Sequence, residues 1–337
     1  MTNKLYEKIK QIIRENRYFL VFLAIVMVLC FIPIPYYIHA PGGLVNISDR
    51  VTVENGHQSA GSLNLAYVSE YKGTIPMYLF SLVKHDWDAV KLEEVVESNE
   101  TARDSEFRSH LLLEEATQAA VINAFRFAQV KYEIKKEDLF VSYVDPKSQN
   151  ELKIGDQIIA VNGTNITTKE QLLTYVKEKQ IGEELAITIK RNQKKKTVAA
   201  TVYESSRRPK IGVVVTSKKE VVTNPEVTFD FKMSESGPSG GMMMSLAIYN
   251  SLTKEDVTHG KKIAGTGTID EQGNVGEIGG IQYKIIGAAK EKVDVFFVPA
   301  GENYTTAKQL KEERHYDMDV VEVKTFTDVL EYLEKQL

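Results

Sequence analysis

Thiols are almost missing from this sequence: Cys30 is the single cysteine among 337 residues. One thiol cannot build a disulfide framework, nor a zinc site made from several thiolates. An excess of positive charge is missing too. Lys and Arg number 42 against 46 Asp and Glu, for a net charge of −4, which argues against nucleic-acid binding as the main task. No GxxxxGK[ST] segment occurs, so no P-loop is present to cradle a nucleotide. Tryptophan occurs once, but 16 Tyr, 13 Phe and 43% hydrophobic residues exclude a wholly disordered chain. The length allows about two domains.

Only one apolar run is long. Tyr18 to Ile34 reads YFLVFLAIVMVLCFIPI with no charged residue. Residues 1–17 carry a net +3, leaving −7 on the remainder of a chain whose total is −4. An apolar run with a basic flank predicts a transmembrane anchor over residues 18–38, residues 1–17 in the cytoplasm and the rest outside the cell membrane. A cleaved signal peptide would need small residues at −3 and −1, and Ile38-His39-Ala40 before Pro41 serves poorly. A lipoprotein would need a small residue before Cys30, where Leu29 stands. A buried soluble helix is disfavoured by the same basic flank. Cys30 lies inside the run, so the expected exported body has no thiol, which suits an oxidising exterior.

Residues 41–75 alternate short apolar runs with Asn55-Gly56 and Lys72-Gly73, a pattern of strands and hairpins. Residues 105–128 change to a helical period through Phe107, Leu111, Ala116, Ala120 and Phe127. From about 128 to 205 a strand at Phe140–Val144 precedes LKIGDQIIAVNG (residues 152–163), a helix over Lys169–Lys179 and a strand at Leu185–Arg191. That phrase resembles the PDZ signature; a chance hairpin carrying GD and NG is the alternative. The resemblance implies an extended peptide bound by strand addition between Leu139, Phe140, Val141, Ser142 and the helix. Lys136-Glu137-Asp138 stands where a glycine loop would capture a C-terminal carboxylate, so internal segments are equally eligible. Lys194-Lys195-Lys196 reads as a solvated hairpin turn.

The chemistry concentrates between Val227 and Ala289. A strand, Val227–Phe231, leads into Ser236-Gly237-Pro238-Ser239-Gly240-Gly241 and then an apolar helix opening Met242-Met243-Met244. Glycines let backbone approach a ligand, and a helix N-terminus offers free N–H groups and positive charge, which is what an oxyanion needs. A nucleophilic serine needs a base. The six histidines (39, 57, 85, 110, 259, 315) show no partner pattern. Lys284 sits at the start of an apolar, small-residue helix, where burial favours its neutral form. A glycine-rich structural turn is the plain alternative for the serine motif.

Three motifs in this order resemble the Lon protease catalytic domain, which carries Gly-Pro-Ser-Ala/Ser-Gly, Thr-Gly and Gly-Gly-Leu/Ile-x-x-Lys: here Gly237-Pro238-Ser239-Gly240-Gly241, Thr266-Gly267 and Gly279-Gly280-Ile281-Gln282-Tyr283-Lys284. The resemblance implies Ser239 as nucleophile, Lys284 as general base, Thr266 as its supporting hydroxyl and an oxyanion hole of Ser239 and Gly240 backbone. Many members carry an acid three residues before the serine; Ser236 stands there, with Glu235 beside it. The whole arrangement is similar to membrane-anchored, PDZ-containing Lon-like proteases of Gram-positive bacteria. It implies an α+β fold: an N-terminal transmembrane helix, then a Lon-type protease domain split into residues 41–125 and 210–337, with a PDZ β-barrel-like domain inserted at 126–206. It further implies an ATP-independent serine endopeptidase acting on peptides or unfolded protein segments, with no cofactor, no metal, no ATP and no nucleic acid. A homo-oligomer stays open. Rival readings are an anchored PDZ adaptor whose protease domain is inactive, and a secreted esterase.

Overall fold

Two prolines decide what the N-terminal apolar run becomes. In the computed structural model, helices α1 (Thr2–Glu15) and α2 (Arg17–Phe31) are followed from Pro33 by an extended strand, β1 (Pro33–Asn46). Proline lacks an N–H and pushes the residue before it out of the helical region, so Pro33 and Pro35 stop the helix inside the run. Fifteen residues of α2 make roughly 22 Å of helix, short of a roughly 30 Å hydrocarbon core. Among the described residues no helix is long and apolar enough to cross a membrane. This overturns the anchor expected over 18–38. The single-pass placement derived from it, with a cytoplasmic N-terminus and the remainder outside, falls with it. Tyr36, Tyr37 and Ile38, expected to complete the span, pair instead with Lys91, Val90 and Ala89 of β4 (Asp88–Lys91). The fold is mixed α+β without a transmembrane helix.

The structure describes residues 2–95 and 100–335. The chain forms two units, residues 1–41 with 68–95 and residues 42–67 with 96–337, so the stretch 41–125 is not one piece. The smaller unit holds α1, α2, most of β1, the end of β3 (Ser62–Thr74), α3 (Ile75–Ser81), β4 and α4 (Leu92–Val95).

In the larger unit, β14 (Lys262–Gly265) runs parallel to β3 on one side and to β17 (Val295–Pro299) on the other, and β18 (Asp319–Val323) lies beyond β17. All five residues of β17 are buried, as a parallel strand covered on both faces requires. Around this sheet lie α5 (Ala102–Phe127), α7 (Gly241–Leu252), α8 (Ile281–Lys290), α9 (Glu302–Arg314) and α10 (Phe326–Glu334). Helix α5 starts at a capping box: the Thr101 hydroxyl accepts from Asp104 N–H, and the Asp104 carboxylate accepts from Thr101 N–H. Its buried Ala116, Ala119, Ala120 and Ala124 keep the helix surface low, and α7 packs against it. One core joins Ile47, Val51, Val53 and Leu63 to Met242, Met243, Phe297 and Phe326, so apolar residues from before residue 65 and after 240 fill one volume. The short β2 (Val51–Val53) pairs β13 (Val227–Phe229) across the same gap in sequence.

A second core belongs to residues 132–223. Strands β5 (Tyr132–Val144), β6 (Gln157–Val161), β7 (Thr164–Asn165), β8 (Glu184–Arg191), β9 (Lys194–Thr201) and β12 (Val213–Thr223) form a sheet ordered β12-β5-β6-β8-β9, with β7 on β6. Helix α6 (Lys169–Lys177) and the hairpin of β10 (Tyr203–Ser205) and β11 (Arg208–Lys210) complete it. The Gly155-Asp156 turn has a clear physical basis. Gly155 has φ +88°, which suits glycine. The buried Asp156 carboxylate takes two bonds from Arg191, at 2.6 and 2.7 Å, and one from Lys153 N–H. Lys194–Lys196 lie exposed at the start of β9, after a two-residue turn in which Asn192 and Gln193 both have positive φ.

Candidate active site

Strand β14 ends at Gly265, and the next residue, Thr266, is fully buried. Its N–H donates to the Phe297 carbonyl of β17, which fixes it at the C-terminal edge of the parallel strands. Gly265 is needed here, because a Cβ would lie 2.8 Å from Met243 Sδ and 3.0 Å from Phe297. The chain entering α7 docks onto the same edge. Gly267 N–H donates to the Ser239 carbonyl at 2.8 Å, and Met242 N–H to the Gly267 carbonyl at 3.2 Å. Gly240 and Gly241 permit this approach: a Cβ on either would come within 2.9 Å of Leu65 or Ile269. Ser239 is half-buried at the helix entrance. Among the described residues no hydrogen bond occupies its N–H or that of Gly240.

Lys284 arrives from the other direction. Gly280, in the left-handed region at φ 70°, turns the chain into α8, and Lys284 falls in the first turn with 3% of its surface exposed. Its Nζ donates to Thr266 Oγ1 at 3.1 Å, and the Thr266 hydroxyl donates to the Ser239 carbonyl at 3.1 Å. The threonine therefore presents a lone pair to the lysine. Burial lowers the Lys284 pKa from 10.5 to about 8. The positive end of α8 disfavours the ammonium further. Nζ makes no hydrogen bond to Ser239 Oγ, and no histidine bonds to Ser239, Thr266 or Lys284.

Glu235 belongs elsewhere. Arg50 Nε donates to both its oxygens, at 3.0 and 2.8 Å, and Nη2 donates at 2.8 Å. Burial pushes this carboxyl up, but the Arg50 bonds and the Lys232 N–H outweigh it and hold the pKa below the ordinary 4.5. The pair straps the serine loop to the start of β2. A carboxyl with a depressed folded pKa adds stability that is complete above its unfolded pKa and lost as pH falls through the folded one. Glu235→Gln is therefore expected to cost about 1–2 kcal/mol at pH 7 by urea denaturation, with the difference shrinking as pH falls below the ordinary carboxylate value of 4.5.

Residues 153–335 match the Lon protease (S16) C-terminal proteolytic domain, more than half of the chain. The chain belongs to this family. It is thus a Lon-type serine peptidase. The Lon protease of Campylobacter jejuni is 30% identical over 125 residues, covering 34% of this chain and 16% of that protein. The Lon protease of Mycoplasmopsis agalactiae is 27% identical over 193 residues, covering 56% and 19%. The chain thus spans less than a fifth of the length of these Lon relatives. Among solved structures, the PDZ domain of an SdrC-like protein from Listeria monocytogenes aligns at 20% identity with a TM-score of 0.22, covering 23% of this chain and 85% of that one.

Ser239, Gly240, Thr266 and Lys284 come together. The proposed groove residues behave differently. Leu139 pairs with Ser217 of β12 and with Ile158 of β6, and Phe140 with Thr216 and Gln157. Val141 faces Val215, and its N–H donates to the Asp156 carbonyl. Leu139, Val141 and Ser142 are buried. Leu139–Ser142 therefore run inside the sheet, without an open edge for strand addition. The edge strand beside α6 is β12, which a local reading of residues 140–144 had no means to place between solvent and β5.

Proposed function

We propose that this Lon-type chain is a serine endopeptidase that works by a Ser239–Lys284 dyad on peptides or flexible protein segments. The observation that carries the reading is Lys284, a lysine 3% exposed, with its pKa lowered to about 8 and its Nζ on Thr266 Oγ1. No P-loop motif lies in this chain, so cleavage proceeds without ATP hydrolysis of its own. Residues 132–223, with their PDZ-like sequence, present extended substrate.

In this mechanism the neutral Lys284 amine takes the Ser239 hydroxyl proton as Oγ attacks the scissile carbonyl carbon. Ser239 and Gly240 N–H groups, at the positive end of α7, receive the oxyanion. The intermediate collapses as the C–N bond breaks, and the Lys284 ammonium gives its proton to the leaving amine. Water, losing a proton to Lys284, then hydrolyses the acyl ester and frees the serine. Thr266 orients the amine throughout, because its own proton is committed to the Ser239 carbonyl.

Labelling by a peptidyl phosphonate tests this. Modification is expected at Ser239 alone. Its rate should climb about tenfold per pH unit below pH 8 and level off above, following the neutral fraction of Lys284. Absence of labelling in folded protein, or a rate flat across that range, would refute the dyad.

A further inference from the structure

The three residues of the site are not held alike. Ser239 is fixed through its loop: the Ser109 carbonyl of α5 accepts from Gly237 N–H at 3.0 Å, and Arg50 ties down Glu235. Thr266 is fixed by its bond to the Phe297 carbonyl at 3.1 Å. Lys284 comes after a hairpin, β15 (Thr268–Ile269) and β16 (Val275–Gly276), and then Glu277, Ile278, Gly279 and Gly280. The tip of the hairpin is braced by α5, since Asn123 Nδ2 donates to the Asp270 carbonyl at 2.7 Å and Arg126 Nη1 to that of Glu271 at 2.7 Å. The stretch between hairpin and helix contains two glycines in a row. A Cβ on Gly279 would meet nothing within 4 Å, and Gly280 takes φ 70°. Glycine loses more freedom on ordering than any other residue, so such an entrance does not hold its own shape.

What holds it is Asn303, in the first turn of α9 and 7% exposed. Ile278 N–H donates to Asn303 Oδ1 at 2.8 Å, and Asn303 Nδ2 donates to the Ile278 carbonyl at 3.0 Å. The side-chain amide thus does what a neighbouring strand would do, engaging both backbone groups of one residue. Among the described residues no other hydrogen bond engages the backbone of Glu277, Ile278 or Gly279. Beside the clamp, a Cβ on Gly301 would lie 2.9 Å from Glu277 Oε1, so the Glu277 carboxylate stands at the positive end of α9. Ile281 and Ile285 bury one face of α8. Apolar contact is non-directional and lets a helix slide, whereas hydrogen bonds are directional, so the two bonds fix where α8 begins along its axis. Lys284 follows in its first turn.

We propose that Asn303 is a positioning residue for the reaction: by clamping Ile278 it sets the start of α8, and so keeps Lys284 Nζ on Thr266 and away from water. It touches neither substrate nor the reacting atoms. Without the clamp the first turn of α8 loosens, water reaches the amine and the ammonium is favoured. The consequence for cleavage rests on the Ser239–Lys284 reading; the placement of the lysine does not.

Asn303→Ala in the full chain tests this, with the rate of phosphonate labelling at Ser239 followed across pH. The midpoint of the profile is expected to rise from about 8 to about 9, so that labelling slows about tenfold at pH 7 and stays within about twofold of wild type at pH 10. Asn303→Ser keeps one hydrogen-bonding group for Ile278; its midpoint should fall in between, and it carries the test if the alanine variant does not fold. Ala307→Gly, a buried change further along α9, should lower the unfolding temperature and leave the midpoint near 8. A midpoint that stays near 8 in the Asn303 variants, a loss equal at every pH, or the same shift in Ala307→Gly overturns the proposal. The carbon-13 Cε resonance of Lys284, identified by its absence in Lys284→Met, reads the same midpoint in Ser239→Ala protein, where no labelling occurs. If wild-type protein is not labelled at all, the dyad fails and the resonance still decides the clamp: a rise in Asn303→Ala upholds the placement of Lys284, and no change overturns it.

Discussion

Lys284→Met is expected to abolish peptide cleavage and to make the protein more stable. The loss should reach about 10⁴-fold in kcat, because the variant removes the only base the mechanism uses. The gain follows from the same burial. Lys284 is 3% exposed, and its pKa falls from 10.5 to about 8, so below pH 8 the folded protein holds an ammonium that water would solvate better. The shift corresponds to roughly 3 kcal/mol; allowing about 1 kcal/mol for the lost bond to Thr266 leaves a net gain of about 2 kcal/mol at pH 7. Between about pH 8 and 10.5 the unfolded state binds more protons than the folded one, so wild-type stability rises with pH and the advantage of methionine shrinks. Urea denaturation at pH 7 and pH 10 measures this. Cleavage that survives at neutral pH would exclude Lys284 as the base. A variant less stable at pH 7 would mean that the lysine is a structural group and not a strained functional one.

Ser239→Ala is expected to lose cleavage by at least about 10⁴-fold while keeping the fold. What ties this residue into the structure is its carbonyl, which takes Thr266 Oγ1–H and Gly267 N–H, and alanine keeps that carbonyl. Thermal unfolding should therefore move little, substrate affinity should persist, and the effect should fall on kcat. The double variant with Lys284→Met should be no slower than either alone, since two members of one proton-transfer unit do not add. An additive loss would show that the two side chains act separately.

Much of the site was legible because its chemistry is local in sequence. Glycine-proline-serine before an apolar helix, and a lysine in a small-residue stretch where a surface lysine would be out of pattern, can each be read without coordinates. Glu235 shows the opposite case. It stands beside the position where many members carry a supporting acid, yet its carboxylate is committed to Arg50, 185 residues away. The groove failed for a related reason. The residue pattern identifies a strand at 140–144 but says nothing of its neighbours, and β12 and β6 take both of its sides. The N-terminal run failed because a count of apolar residues overlooks where helix can continue. Pro33 and Pro35 convert the end of the run into strand, and α2 closes at 15 residues.

By itself, the sequence marked the candidate residues for the chemistry and the periods of the elements that bear them, since both depend on side-chain type and short spacing. Only the tertiary structure decided that Thr266 lies between Lys284 and Ser239, that β12 and not β5 is the edge, and that α5 holds the serine loop through the Ser109 carbonyl. These are contacts between segments tens to hundreds of residues apart. They come about because one core gathers Val51, Phe125, Met242 and Phe326 into the same dry volume, and burial, unlike periodicity, is a property of the whole packed chain.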